Sequence, residues 1–288
     1  MTTCSALSAE IAEATVGTAP VGLAWVCLEQ PGAWGPKAFT SSHLDPAVGQ
    51  AFEVAATAAG ARPQLIRAPG RHPESGAGPR QVLVAFTAPG SSWLLAGQID
   101  DPKRILDLDF EAIAAGQRPA WPELQPILDP VLLVCTNGRR DVCCATLGRP
   151  VADAAAASHP GRVWEANHLS GHRFAATTAL LPSGHVHGRV LDGSLILAAA
   201  DRGELLPMGW RGRSTWPSTG QVAEAVIRER DGLWDLDAVA VARAEGRWDV
   251  TSGGRSSIVE VSEYTEGMAP PSCGKAAEPV RRFAAAVQ

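Results

Sequence analysis

Three of the six cysteines fall within Cys135-Thr-Asn-Gly-Arg-Arg-Asp-Val-Cys143-Cys144, and two histidines follow in Asn167-His168-Leu-Ser-Gly-His172. Thiolates and imidazoles are the side chains that bind thiophilic transition metals, so the pattern points first to a metal centre. Two histidines four residues apart arise often by chance; joined to the cysteines they read as one half of a ligand set. Gly138 and Gly171 suit such a site, because a metal held on short ligand arms needs close backbone and amide donors to sulfur. Cys143 and Cys144 cannot both point into it, since neighbours on a helix diverge by about 100°. The face Cys144, Leu147, Val151 and Ala154 favours Cys144 as the ligand, although periodicity alone leaves Cys143 open.

For these residues to meet, strands must end beside one another. Residues 131–134 read as a buried strand that delivers Cys135 at its C-terminal end, and a helix over 141–159 begins next to Cys144, where the helix dipole favours a thiolate. A second strand over 162–166 delivers His168 and His172 to the same sheet edge, where α/β proteins bind ligands. Residues 177–181 and 185–190 form a hairpin around Pro182-Ser-Gly184, with helices at 194–201 and 219–229 and late strands at 238–244, 248–251 and 258–261.

The first part of the chain runs in a similar order. A strand over 21–28 leads to a helix that Asp45 caps, Pro46 opens and Gly60 ends. Strands at 64–67, 81–86 and 93–98 follow, then a helix over 105–115. Four prolines in 116–130 mark a handover between units. The chain is thus expected to be α/β, with two thioredoxin-like units at 1–127 and 128–262 and a C-terminal arm at 263–288, Pro/Gly-rich and then helical.

Bulk composition narrows the function. A net charge of −5 and a pI near 5.8 argue against a nucleic-acid partner. The N-terminal stretch is acidic where a secretory signal is basic, and no apolar run is long enough to span a membrane. Few cysteines, unevenly placed, fit a reduced cytoplasmic protein and not a disulfide scaffold. The segment ending in Gly274-Lys275 is not a P-loop, because its glycine spacing is too long and Ala276 replaces the required Ser or Thr.

The same residues closely resemble the sucrase/ferredoxin-like family, thioredoxin-like ferredoxins with C-x8-C and H-x3-H around a [2Fe–2S] cluster. The likeness lands on Cys135 and Cys144, Gly138-Arg-Arg-Asp141, Arg162-Val-Trp-Glu165, His168 and His172, Arg211-Gly-Arg-Ser-Thr-Trp216 and Cys273-Gly-Lys275. It extends to Cys4-Ser-Ala-Leu7 and Glu29-Gln-Pro-Gly-Ala-Trp-Gly35, nearly the whole chain. The resemblance implies that the second unit is a thioredoxin-like ferredoxin domain, with Cys135 and Cys144 on one iron and His168 and His172 on the other. It further implies a soluble protein that is more an electron carrier than an enzyme and exchanges one electron with redox-protein donors and acceptors; the second ring nitrogen of each imidazole would couple that electron to a proton, and neither nucleic acid nor membrane is an expected partner. Sugar hydrolysis is excluded, because no pair of placed carboxylates stands out.

Two alternatives stand beside this reading. A structural Cys2His2 zinc site is disfavoured by eight residues between the cysteines, and a thioredoxin-like thiol oxidoreductase by the lack of a C-x-x-C. Cys4 and Cys27 are assigned to structure and Cys273 to a buried loop beside the cluster. His185 and His187 alternate on a strand as a surface pair able to accept a proton near the cluster. Trp210, Arg211, Arg213 and Trp216 form a docking loop before a helix capped by Thr215 or Ser218, and His72 has no role.

Overall fold

The computed structural model describes residues 3–70 and 78–288; His72 lies outside the described residues. The chain runs α1 (Cys4–Glu10), β1 (Ala24–Glu29), α2 (Ala38–Ser41), α3 (Pro46–Ala58), β2 (Ala61–Arg67), β3 (Arg80–Phe86), β4 (Trp93–Ile99), α4 (Phe110–Ala114) and β5 (Gln125–Pro126). It continues with β6 (Val131–Cys135), α5 (Val142–Ser158), β7 (Val163–Ala166), β8 (Thr178–Leu181), β9 (His185–His187), α6 (Ser194–Asp201), β10 (Trp210–Arg213) and α7 (Ser218–Asp231). Four strands close it, β11 (Val239–Ala244), β12 (Arg247–Ser252), β13 (Arg255–Ala269) and β14 (Glu278–Val287).

The fold is mixed α/β. A ten-stranded mixed sheet has the order β10-β9-β8-β6-β7-β2-β1-β3-β4-β5, and a four-stranded antiparallel sheet has the order β11-β12-β13-β14. Within the large sheet one arrangement occurs twice. β1 lies parallel to β2 and antiparallel to β3, which pairs with β4, and β6 stands in the same relation to β7, β8 and β9. The two halves meet where β2 pairs antiparallel with β7 through Ile66 with Ala166 and Arg67 with Glu165.

Alternation along the strands decides which side chains share a core. Leu132 and Val134 face α5 and α6, whereas Val131, Leu133 and Cys135 face a second apolar layer that also holds Trp25, Cys27 and Ile66 of the first half. The face that carries Cys135 is therefore shared by both halves. Residues ahead of β1 pack on the second half, with Thr15 Oγ1 donating to the Trp210 carbonyl and the Gly17 N–H to that of Arg211, both at 3.0 Å.

Four expectations need correction. The helix over 105–115 is broken into a 3₁₀ turn (Pro102–Asp107) and α4, because Asp101 and Asp109 each cap a new start by accepting from the Lys103 and Ala112 N–H groups at 2.9 Å. Residues 210–213 are the edge strand β10, paired with β9, and not a loop. Neither Thr215 nor Ser218 caps α7; its N-cap is Pro217, without a side-chain bond, and Thr215 Oγ1 bonds Thr87. Residues 263–288 are not helical. β13 runs on to Ala269 and β14 returns beside it, with Arg281 and Glu263 paired across the strands at 2.6 Å, so strand pairing overrides the helix preference of the alanines in 284–286.

Candidate metal centre

Cys135 is the last residue of β6, and the chain turns at once into α5. Thr136 Oγ1 donates to Glu165 Oε2 at 2.8 Å, Asn137 Nδ2 donates to the Gly35 carbonyl at 3.1 Å, and Asp141 caps α5 by accepting from the Cys143 N–H at 3.0 Å. The face that α5 buries is Cys144, Gly148, Val151, Ala152 and Ala155, while Leu147 and Ala154 are exposed, which corrects the face expected from periodicity. The reason is Gly148. A Cβ there would lie 2.1 Å from the Cys135 carbonyl oxygen, so the helix rests directly on the end of β6.

The histidine loop is fixed from two sides. Asn167 extends the seam between the halves with its own atoms: its N–H donates to the Leu65 carbonyl at 3.0 Å, and its Oδ1 accepts from the Leu65 N–H at 3.1 Å. Behind the turn lies Arg211, fully buried, whose Nη1 donates to the Ser170 carbonyl at 3.1 Å and whose guanidinium also bonds Thr18. Gly171 has φ +67°, and a Cβ on it would meet Arg211 Nη2 at 2.3 Å. Together these contacts set the chain between His168 and His172.

The four residues singled out by the sequence come together at this edge. Cys135 and Cys144 are both 1% exposed and hydrogen-bonded to each other. The bond from Cys144 holds the Cys135 thiol well below its usual range against the cost of burial, helped by His168 and the Leu169 N–H. The same bond, with burial, raises Cys144. The His168 and His172 rings lie 5.4 Å apart, and the Nδ1 atom of each is buried without a hydrogen-bond partner. Burial lowers His172, opposed by the charge of Asp141. His168 also borders a cavity of about 510 Å³ lined by Arg62, Gln64, Asn137, Arg140 and Asn167.

Cys143 points the other way. Its sulfur lies 3.6 Å from that of Cys4 and 3.4 Å from that of Cys273, and the last two are 3.5 Å apart. With Asp141 they form a group whose ligand atoms all lie within 4.8 Å of one another, a donor set able to hold a metal ion. Burial penalises a charge on Cys143, but hydrogen bonds from the Ser5 side chain and N–H outweigh it and lower its thiol; burial and Cys273 raise Cys4. Burial likewise opposes ionisation of Asp141, yet bonds from the Cys273 N–H, the Ser272 hydroxyl and the Cys143 N–H hold its carboxyl at about 2. Sequence reasoning missed this group because its members are up to 269 positions apart. Cys143, the cysteine left over from the Cys143-Cys144 pair, was a signal for it.

Cys273 therefore adjoins Cys4 and Cys143, and Cys27 lies fully buried in the shared apolar layer. His185 and His187 are not a surface pair. Both are fully buried under β10, with His185 bonded to Trp210 Nε1 and Arg213, and His187 Nε2 at 2.9 Å from the Leu206 carbonyl. Arg211 and Arg213 are fully buried too, which removes them from any docking surface.

Among known proteins, the sucrase/ferredoxin-like family model matches residues 24–212, more than half of the chain and less than the near-complete likeness expected. Cys135, Cys144, His168 and His172 all fall inside the matched segment, and Cys4 and Cys273 outside it. No curated protein and no solved structure matches the chain.

Proposed function

Because the chain belongs to the sucrase/ferredoxin-like family, we propose that it is an electron-transfer protein holding a [2Fe–2S] cluster on Cys135, Cys144, His168 and His172. The observation that carries this reading is the meeting of a hydrogen-bonded cysteine pair with two buried imidazole nitrogens that have no partner. A buried polar atom left unpaired is costly, and a metal ligated at Nδ1 removes that cost. The repeated strand order, with the third strand of each half antiparallel to the first, supports the view that both halves are thioredoxin-like and the second a ferredoxin domain.

When bound, the cluster supplies a one-electron site. The protein's own part is to hold it. Cys135 at the end of β6 and Cys144 in the first turn of α5 would offer the two thiolates, and Asn167 and Arg211 position the histidine loop. Ligation through Nδ1 leaves Nε2 as the nitrogen able to exchange a proton, so the potential should fall as pH rises. A redox-protein partner would approach His168 through the cavity beside it. Nucleic acid is not a partner in this reading, given the net charge of −5. No helix among the described residues is long and apolar enough to cross a membrane. All six cysteines are free, in keeping with a reducing compartment such as the cytoplasm.

The test is anaerobic purification followed by an absorption spectrum and iron analysis. Visible charge-transfer bands with two irons per chain are expected, lost in Cys135→Ala, Cys144→Ala, His168→Ala and His172→Ala and kept in Cys143→Ala. A colourless chain with zinc on these four residues, or one without metal that exchanges disulfides, would overturn the reading.

A further inference from the structure

We propose that Cys4, Cys143, Cys273 and Asp141 hold a single zinc ion, a structural site distinct from the cluster site, which fastens α1 and the β13–β14 turn to the first turn of α5.

The distances carry the argument. Zinc binds thiolate sulfur at about 2.3 Å in a tetrahedron, so two sulfurs on one ion lie about 3.8 Å apart, and a carboxylate oxygen about 3.6 Å from each sulfur. Here the three sulfur–sulfur edges are 3.4, 3.5 and 3.6 Å, and Asp141 Oδ1 lies 3.8 Å from the Cys4 sulfur. A triangle of that size fits three ligands of one ion. It does not fit a multi-iron cluster, which spreads its cysteines over several irons. Nor does it fit a disulfide, whose sulfurs are bonded at about 2.05 Å and which would leave one of three cysteines over.

The surroundings are those of thiolates. The Cys4 N–H donates to the Cys273 sulfur at 3.4 Å and Ser5 Oγ to the Cys143 sulfur at 3.3 Å, so two sulfurs act as hydrogen-bond acceptors as metal-bound thiolates do. Asp141 Oδ2 accepts from Ser272 Oγ and the Cys273 N–H at 2.8 Å and Oδ1 from the Cys143 N–H at 3.0 Å, which orients the carboxylate and leaves a lone pair on Oδ1 for a metal. Cys4 and Cys143 are nearly inaccessible and Cys273 is half-buried, so the set is closed as structural sites are. The ligands come from three remote segments, and apart from these atoms little apolar surface joins them: Ala175 is the one other buried residue of this cluster. A metal supplies the cohesion that packing does not.

The experiment uses the full chain with whatever its first site contains. Elemental analysis should find one zinc per chain that Cys4→Ser or Cys273→Ser removes at least tenfold, while iron and the visible spectrum stay unchanged. Zinc-edge X-ray absorption on the unaltered chain should show a sulfur shell near 2.3 Å with about three scatterers, which keeps the test decisive even where a variant does not fold. Zinc absent from the purified chain, a disulfide joining two of these cysteines, or zinc lost on His172→Ala but not on Cys273→Ser would overturn the proposal. Failure of the cluster reading would show separately, in the iron and the colour.

Discussion

Cys143 and Cys144 are adjacent in sequence, yet one belongs with Cys4 and Cys273 and the other with Cys135. The first turn of α5 acts as a fork, because a rotation of about 100° per residue sends neighbours to opposite sides. The two groups differ in what brings them together. Cys135, His168 and His172 stand at or just past the ends of two adjacent parallel strands, and Cys144 on the helix that follows the first of them, so the sheet edge sets their spacing. Cys4, Cys143 and Cys273 are gathered from a short helix, a long helix and a hairpin turn, far apart in the chain and not joined by one sheet. A donor set built on a sheet is rigid before any ligand arrives. One built from distant segments exists only when those segments dock.

The comparison breaks most completely where the two groups share a support. Gly148→Val should push α5 off β6 and unload both groups together, at about 3 kcal/mol, since overpacking against backbone cannot be relieved by a side-chain shift. Iron and zinc should fall in parallel, with Arg149→Val, on the exposed face, as the unaffected control. Loss of one metal alone would show that α5 is not the common lever.

Acid offers a second test, since protons compete with metals for thiolates at both groups and the fold itself is acid-sensitive elsewhere. Burial holds His187 at about 4, below its ordinary 6.5, so between those values the unfolded chain binds the extra proton. Stability from this residue is complete above about pH 6.5 and is lost as pH falls toward 4, by about 3 kcal/mol. His187→Gln keeps a donor for the Leu206 carbonyl without the titration, and urea melts at pH 7 and 4.5 should show a smaller acid loss for it than for the parent chain. Equal losses would assign the acid sensitivity to other groups, the buried His185 and the two sulfur groups among them.

Asp141→Asn makes the smallest and most selective change. The amide can still cap α5 but cannot accept the bonds from Ser272 and Cys273 that Oδ2 accepts, at a cost of about 2 kcal/mol for charged hydrogen bonds. Zinc affinity and protection of residues 270–276 from protease should fall, with the iron unchanged. Bleaching of the visible bands by this variant would join the two groups into one.

Much of the scaffold is legible in the sequence because local pattern and burial agree there. Residues 131–135 are a continuous apolar run bounded by Pro130 and a polar loop, and α6 occupies the expected 194–201. The cysteine and histidine loops are legible for the same reason, each following a strand whose end the pattern marks. What the sequence hides depends on distant partners. The alanines at 284–286 favour helix until β13 offers a ladder. Alternation puts His185 and His187 on one face, but it is distant partners, the Leu206 and Leu236 carbonyls among them, that bury it. Cys4 and Cys273 carry no period that could link them; each alone reads as an ordinary buried cysteine.

The contact between Cys4 and Cys273 also gives the protein an order of events during its synthesis. The strand ends that carry Cys135, Cys144, His168 and His172 have all been made by residue 172, so the first donor set can be complete while much of the chain is still to come. The second cannot. Cys4 must wait for 269 further positions before Cys273 exists, and until then α1 has no sulfur of that turn to close against. The sulfur triangle therefore records that translation has passed residue 273; a chain stopped short of it can still hold α1 through Arg189 and Cys143 but cannot close the triangle.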